Sequence, residues 1–465
     1  MIVKKAYNIY QWFLLLVIAI ALLNSCKVTQ PYQPQANIGP NNLYRDSTAT
    51  DTTNIANISW RQLFNDTALQ SLIQEGINNN LDLKVAVARI KAAAANFKQS
   101  QQALLPTLNV NPSVEVEKVA STQYGFPYTY TLALNAAWEV DIWGQLSSAK
   151  RANLALLLES DANRRAVQTQ LVSNIATDYY LLLSYDAQLK VTEQTLALRK
   201  EEVETMKVLK ESDVVTGAAV VQSAANRYSV EVTIPDLKRS IHETENALSI
   251  LLGRNPDSIA RASLDDQEIS VELKTGVPVQ LLANRPDVQA TEFQIRSDFE
   301  LINVARTYFY PALTITASGG WSSTNAGEVF NAASIFANVI GGLVQPILNQ
   351  GLNRQRLAVA KANHEADLAS FKKTVLTAGQ EVSDALYSYH SAEEKEGLRS
   401  EQIVYLQKSV EYTKELLKYS SATNYTDVLT SEQSLLAAQL SSISDKLQKL
   451  TAMVTLYSSL GGGWR

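Results

Sequence analysis

The sequence predicts a mainly α-helical chain with a membrane β-barrel contribution, four β-strands and long coiled helices per protomer, duplicated internally. Three observations carry this reading. Two long stretches lack helix breakers, two pairs of segments alternate apolar and polar residues with period two, and the same order of segments occurs twice.

Composition narrows the function classes first. The 465 residues hold 41 Lys and Arg against 46 Asp and Glu, a formal charge of −5 with no basic cluster, so the concentrated positive surface that nucleic acid needs is missing. One cysteine excludes an internal disulfide framework and a cysteine-based zinc site. The three histidines, His242, His364 and His390, lie far apart without metal-ligand spacing. No catalytic residue, no metal and no cofactor is expected; the chain does not read as an enzyme.

At the N-terminus Lys4 and Lys5 precede an apolar run from Trp12 to Leu23, then Asn24, Ser25 and Cys26. A basic flank, about 12 apolar residues and a small residue make 1–25 an export signal, too short to span a bilayer comfortably. Leu22-Leu23-Asn24-Ser25-Cys26 resembles a bacterial lipobox, which implies a fatty-acylated (palmitate-bearing) Cys26 as the first mature residue; a plain membrane anchor with a free thiol is the alternative. Residues 26–58, rich in Thr, Asn, Pro and Gln without an apolar period, read as a lipidated tether laid over the body.

Two repeats follow, 59–260 and 285–460, joined by a linker at 261–284 and closed by a tail at 461–465. Leu105-Pro106-Thr107-Leu108-Asn109-Val110 is echoed by Tyr310-Pro311-Ala312-Leu313-Thr314-Ile315, and the stripe Leu237, Ile241, Thr244, Leu248, Leu251 by Ile443, Leu447, Leu450, Val454, Tyr457. Each repeat holds a helix, two strands and two long helices. In the first these are strands 106–118 and 127–142 and helices 145–210 and 217–252; in the second, strands 311–322 and 334–346 and helices 351–417 and 426–458. Residues 145–216 contain neither Gly nor Pro, and Leu182, Leu189, Leu196 and Val203 recur every seven residues, the seam period of coiled helices. Pro235 should kink its helix.

In the strand segments Leu108, Val110, Val114 and Val116 alternate with Thr107, Asn109, Ser113 and Glu115; Tyr128, Tyr130, Leu132, Leu134, Trp138 and Val140 alternate with Thr129, Thr131, Asn135, Glu139 and Asp141. Residues 123–127 supply a turn. The second pair alternates as well, though 334–346 does so weakly. Such a pattern in an exported chain reads as lipid outside and water inside. Four strands cannot enclose water, and an open edge in lipid strands main-chain polar groups. Other copies must therefore complete the wall, and a homotrimer gives twelve strands.

The resemblance then becomes specific. Leu281-Leu282-Ala283-Asn284-Arg285-Pro286-Asp287 running through Ile295, Arg296, Ala305 and Arg306 to Tyr310-Pro311-Ala312-Leu313, together with Trp138-Glu139-Val140-Asp141-Ile142-Trp143-Gly144 and Asn424-Tyr425-Thr426-Asp427-Val428-Leu429 before Glu432-Gln433-Ser434-Leu435, is similar to TolC-like outer-membrane efflux proteins. With the lipobox it resembles the lipoprotein branch serving tripartite resistance-type (RND) pumps. The resemblance implies a homotrimer whose twelve-stranded outer-membrane barrel continues into a twelve-helix periplasmic α-barrel. An equatorial belt would lie near 59–80, 254–284 and 455–465. It implies as partners a periplasmic adaptor, an inner-membrane transporter and outer-membrane lipid. Asn284 is expected to cap the helix that Pro286 and Asp287 begin.

Two turns should end the long helices. Ser212, Asp213, Thr216 and Gly217 mark one; Ser420, Ser421, Thr423 and Asn424 mark the other. In the family such tips meet the adaptor and close the tunnel. Tyr425, Asp427, Thr430 and Glu432 are the candidate gate, with Asp427 and Glu432 each able to form a carboxylate ring under threefold symmetry or to sit on an ordinary solvated face. Many relatives carry an acid where this chain has Thr430 and a base near Gln433, so a different charge pattern is expected. The competing reading is a periplasmic coiled-coil scaffold or adaptor lipoprotein whose hairpins form a soluble sheet.

Overall fold

The computed structural model describes residues 28–33, 43, 54–116, 128–268, 274–276, 280–419 and 425–465. The export signal, Cys26, most of the tether, the turn at 123–127 and the tip residues Ser420, Ser421, Thr423 and Asn424 lie outside the described residues. The helices are α1 (Trp60–Leu63), α2 (Thr67–Asn79), α3 (Leu81–Gln102), α4 (Gln145–Glu211), α5 (Gly217–Glu231), α6 (Thr233–Leu251), α7 (Gln280–Asn284), α8 (Pro286–Thr307), α9 (Leu352–Tyr419) and α10 (Tyr425–Ser459). The strands are β1 (Thr107–Val116), β2 (Tyr128–Val140), β3 (Ala312–Ser323) and β4 (Ile335–Val344). The order α3-β1-β2-α4 recurs as α8-β3-β4-α9.

The structure corrects the expected boundaries where local chemistry intervenes. β2 stops at Val140 because Asp141, expected on the strand's polar face, turns its carboxylate to the backbone amides of Leu146 and Ser147, at 2.9 Å each, and caps α4. Gly144, at φ 76°, makes the reversal from strand to helix, and Gly351, at φ 81°, does the same before α9. The helix expected over 217–252 is two, α5 and α6, parted at Val232: Pro235 has no amide to offer the carbonyl of Glu231. Asn284 does not cap α8. Its side-chain oxygen accepts from Arg465 and its carbonyl from the Trp464 indole, so it holds the C-terminal tail.

The chain divides into two compact units, each drawn from both repeats. One comprises residues 1–37, 89–160 and 290–371. Its centre is a single antiparallel sheet in the order β1-β2-β3-β4, so the two expected hairpins are joined through β2 and β3. The register aligns the apolar positions across strands: Val110 faces Leu134, which faces Gly319; Leu132 faces Trp321, which faces Ile335; Val140 faces Leu313, which faces Leu343. Leu108, Val110, Leu134, Val339 and Leu343 all stand exposed on that face. Among the described residues nothing pairs the outer edges of β1 and β4. In the same unit the described part of the tether is pinned. Asn303 accepts from the Gln30 amide and donates to the Gln30 carbonyl, and Tyr32 packs edge-on against Phe299.

The second unit comprises 38–88, 161–289 and 372–465 and holds the largest fully buried side chains: Phe64, Leu69, Ile73, Ile175, Tyr179, Leu182, Leu183, Leu248, Leu252, Leu456 and Tyr457. Leu182, Leu196 and Val203 of the sevenfold seam are buried, because a stripe at that spacing stays on one side of a slightly supercoiled helix. Several of the polar groups inside are paired. Asp66 caps α2 through Ala68 and accepts from Tyr179 and Gln267, while Arg261 joins Asp186 to Glu245. Arg285, buried, binds Asp287, Glu381 and the carbonyl of Ser459, which ties the Arg-Pro-Asp segment to α9 and the end of α10. Gly379 does not interrupt α9; Leu43 of the tether fills the notch its missing side chain leaves. None of the described helices is long and apolar enough to cross a membrane.

Candidate functional site

The turn after α4 and the start of α10 carry the candidate site, within one compact unit. α4 ends in a left-handed turn: Asp213 sits at φ 53°, with its amide bonded to the Lys210 carbonyl and the Val214 amide to that of Leu209. Ser212 donates its hydroxyl to the Val208 carbonyl. Thr216 caps α5 by accepting from the Ala219 amide, and Gly217 opens that helix at the surface. These four residues build the first tip and leave it exposed.

The start of α10 packs against the end of α4 and the first turn. Tyr425 and Leu429 of α10 join Met206 of α4 in a buried apolar cluster, with Leu209, Val215, Ala219, Val220 and Leu417 against it. Burial pushes the Tyr425 phenol up to about 12, and the neighbouring Glu202 adds to the shift. Asp427, in the first turn of α10, is exposed and favours the positive helix end. Thr430 is exposed and donates to the Thr426 carbonyl of its own helix.

Glu432 is placed otherwise. It accepts from Arg199 of α4 and from Lys414 of α9, and Arg199 also reaches Glu202 at 2.9 Å. Arg199 is only 2% exposed and the two acids are largely buried, while Lys414 joins the cluster from its half-exposed edge, so the four groups bind three helices. Burial, and then repulsion from Glu432, raises the Glu202 carboxyl above the usual range. Beside the cluster lies a cavity of about 240 Å³ lined by Thr192, Arg199, Asn226, Gln433 and Leu440. Asn226 Nδ2 has no protein partner, and the cavity is roomy enough for a water at that group.

Sequence reasoning missed Arg199. A basic residue three positions after a seam leucine, Leu196, and three before an acid, Glu202, was the available signal. Among the described residues no group of three or more His, Cys, Asp or Glu could hold a metal.

Comparison with known proteins places this geometry. Residues 72–254 and 277–462 match the family model for outer membrane efflux proteins. The chain is 29% identical over 466 residues to the toluene efflux pump outer membrane protein TtgC of Pseudomonas putida, covering 97% of this chain and 95% of that protein. It is 27% identical over 457 residues to the cation efflux system protein CusC of Escherichia coli, covering 97% and 99%. A crystal structure of CusC superposes with a TM-score of 0.85 at 26% identity, over 94% of this chain and all (100%) of that one. The open state of the MtrE outer membrane channel of Neisseria gonorrhoeae gives 0.85 at 24% identity, over 95% and 99%.

Proposed function

Because the chain belongs to the outer membrane efflux protein family, we propose that three copies form the exit duct of a tripartite efflux pump, conducting substrates passively from the periplasm to the exterior. Its place in the outer membrane and its part in efflux follow from the family. The observation that carries the rest is the four-stranded sheet with one apolar face and two open edges. In lipid each unpaired main-chain group costs several kcal/mol, and β4 of one copy against β1 of the next removes every such edge.

The helices support the same closure. Leu398, Tyr405, Tyr412 and Tyr419 recur every seven residues along α9 and are all exposed in the single chain, Tyr419 at 86%. A sevenfold apolar seam left bare by its own chain calls for a neighbouring helix, which twelve helices in a ring supply. The periplasmic adaptor would bind at the tips around Asp213 and Gly217, and the inner-membrane transporter would provide the energy. Cys26 would carry the lipid that holds the N-terminus to the membrane, beside the pinned tether.

At rest the cluster of Arg199, Glu202, Lys414 and Glu432 holds α10 against α4 and α9, and adaptor contact shifts the population toward a packing in which the tips separate. Glu432, balanced by Arg199 and Lys414 within its own chain, contributes little to a carboxylate ring. Reconstitution of the purified mature protein in planar bilayers tests both parts. Trimers that conduct, with Arg199→Met spending more time open than wild type, are the expected result. A monomer soluble without detergent would instead favour the scaffold reading, and an Arg199→Met duct as closed as wild type would remove the cluster from the gate.

A further inference from the structure

The wet face of the sheet is not uniformly polar. On β1, β2 and β3 it presents residues such as Asn109, Thr131, Asn135 and Thr316. On β4 the same face presents Phe336, Ile340 and Val344. The register sets Phe336 opposite Gly320, Ile340 opposite Thr316 and Val344 opposite Ala312, so each large side chain stands beside a small one. Ile340 and Val344 are each 60% exposed. At about 3.3 Å per residue the stripe runs roughly 26 Å, about the height of a barrel's apolar band.

Joining β4 to a neighbouring copy does not cover this stripe. Strand pairing uses main-chain groups in the plane of the sheet and leaves both faces as they were. Charge marks the same surface. The described strand residues include two acids on the wet face, Glu115 and Glu139, and no Lys or Arg. Glu139 shares a row with Thr314 and Gly342, level with the gap between Ile340 and Val344 and about 10 Å across two strand spacings.

We propose that Phe336, Ile340 and Val344, with Glu139, form a transit track for amphipathic cations along the lumen wall. The apolar part of the solute follows the β4 stripe while its charge faces the Glu139 carboxylate, and threefold repetition gives three such tracks. The proposal rests on the duct reading above and names the solutes that the duct holds best.

The test uses full-length mature protein in planar bilayers, with tetrabutylammonium and tetramethylammonium added in turn. Both carry one charge and differ in apolar surface. Wild-type current should be blocked by tetrabutylammonium at about tenfold lower concentration than by tetramethylammonium. In Phe336→Thr/Ile340→Thr/Val344→Thr, whose threonines keep strand preference, that gap should shrink to about twofold. The single variant Ile340→Thr, a milder change, should fall between the two. Equal block of wild type by both cations overturns the track, and so does an unchanged gap in the single variant. A wild-type protein that conducts nothing refutes the duct reading itself, which is a separate and recognisable result.

Discussion

Asp298 of α8 is a buried carboxyl with other acids beside it. It is 4% exposed and accepts from Gln294 of its own helix; Asp367 of α9 and Glu159 of α4 face it, and Arg356 lines the adjoining groove while stacked over Tyr308. Burial, then the Asp367 carboxyl, pushes its pKa up to about 7. The fold therefore keeps a proton that the unfolded chain releases near pH 4. Stability from this group is greatest below that pH and declines as pH rises to about 7. Asp298→Asn should flatten that slope and raise the unfolding midpoint at pH 8, read by thermal denaturation in detergent at pH 5 to 8; a slope equal to wild type would place the proton elsewhere. Asn284 and Asp141 show the same sensitivity to surroundings. Each has cap chemistry, but Asp141 caps while Asn284 holds the tail, because only the folded chain decides which amides come within reach.

Among the elements, the sheet carries the sharpest physical contrast. Leu134 lies in mid-β2 with Val110 and Gly319 beside it, whereas Asn135, one residue on, lies with Asn109 and Ser318. If the first face meets acyl chains, Leu134→Arg should cost about 2–4 kcal/mol in vesicles, while Asn135→Lys, facing water, should cost little. Denaturant titration of refolded protein measures both; equal costs would argue for a soluble sheet. The long helices have a different logic. α4 buries Leu182, Leu196 and Val203 within its own chain, whereas α9 leaves Leu398, Tyr405, Tyr412 and Tyr419 bare. One seam stabilises the protomer and the other awaits a neighbour.

For the whole molecule, that bare seam and the two open strand edges make the assembly inseparable from function. Tyr405→Glu with Tyr412→Glu places like charges in every copy of the seam and should lower the assembled mass from trimer toward monomer, with helix content unchanged. Light scattering in detergent with circular dichroism reads both, and a variant that remains trimeric would remove α9 from the interface. The two compact units explain how such a chain is built. Each repeat contributes its strands and the helix segments flanking them to one unit and the rest of its helices to the other, so duplication gives matching parts without giving two separable domains.

The sequence by itself determined the strands, the long helices, their duplication and the family. Period two, period seven and the placement of Gly and Pro are local properties, written in the order of residues whatever the chain packs against. Pro235 announced its break for that reason. Only the tertiary structure decided that β2 joins β3, that Glu432 is balanced by Arg199 and Lys414, and that Phe336, Ile340 and Val344 share the polar face. Those facts depend on register and on partners far away in the chain, where Coulomb energy, desolvation and side-chain neighbours are set by distance in space and leave no periodic mark in the sequence.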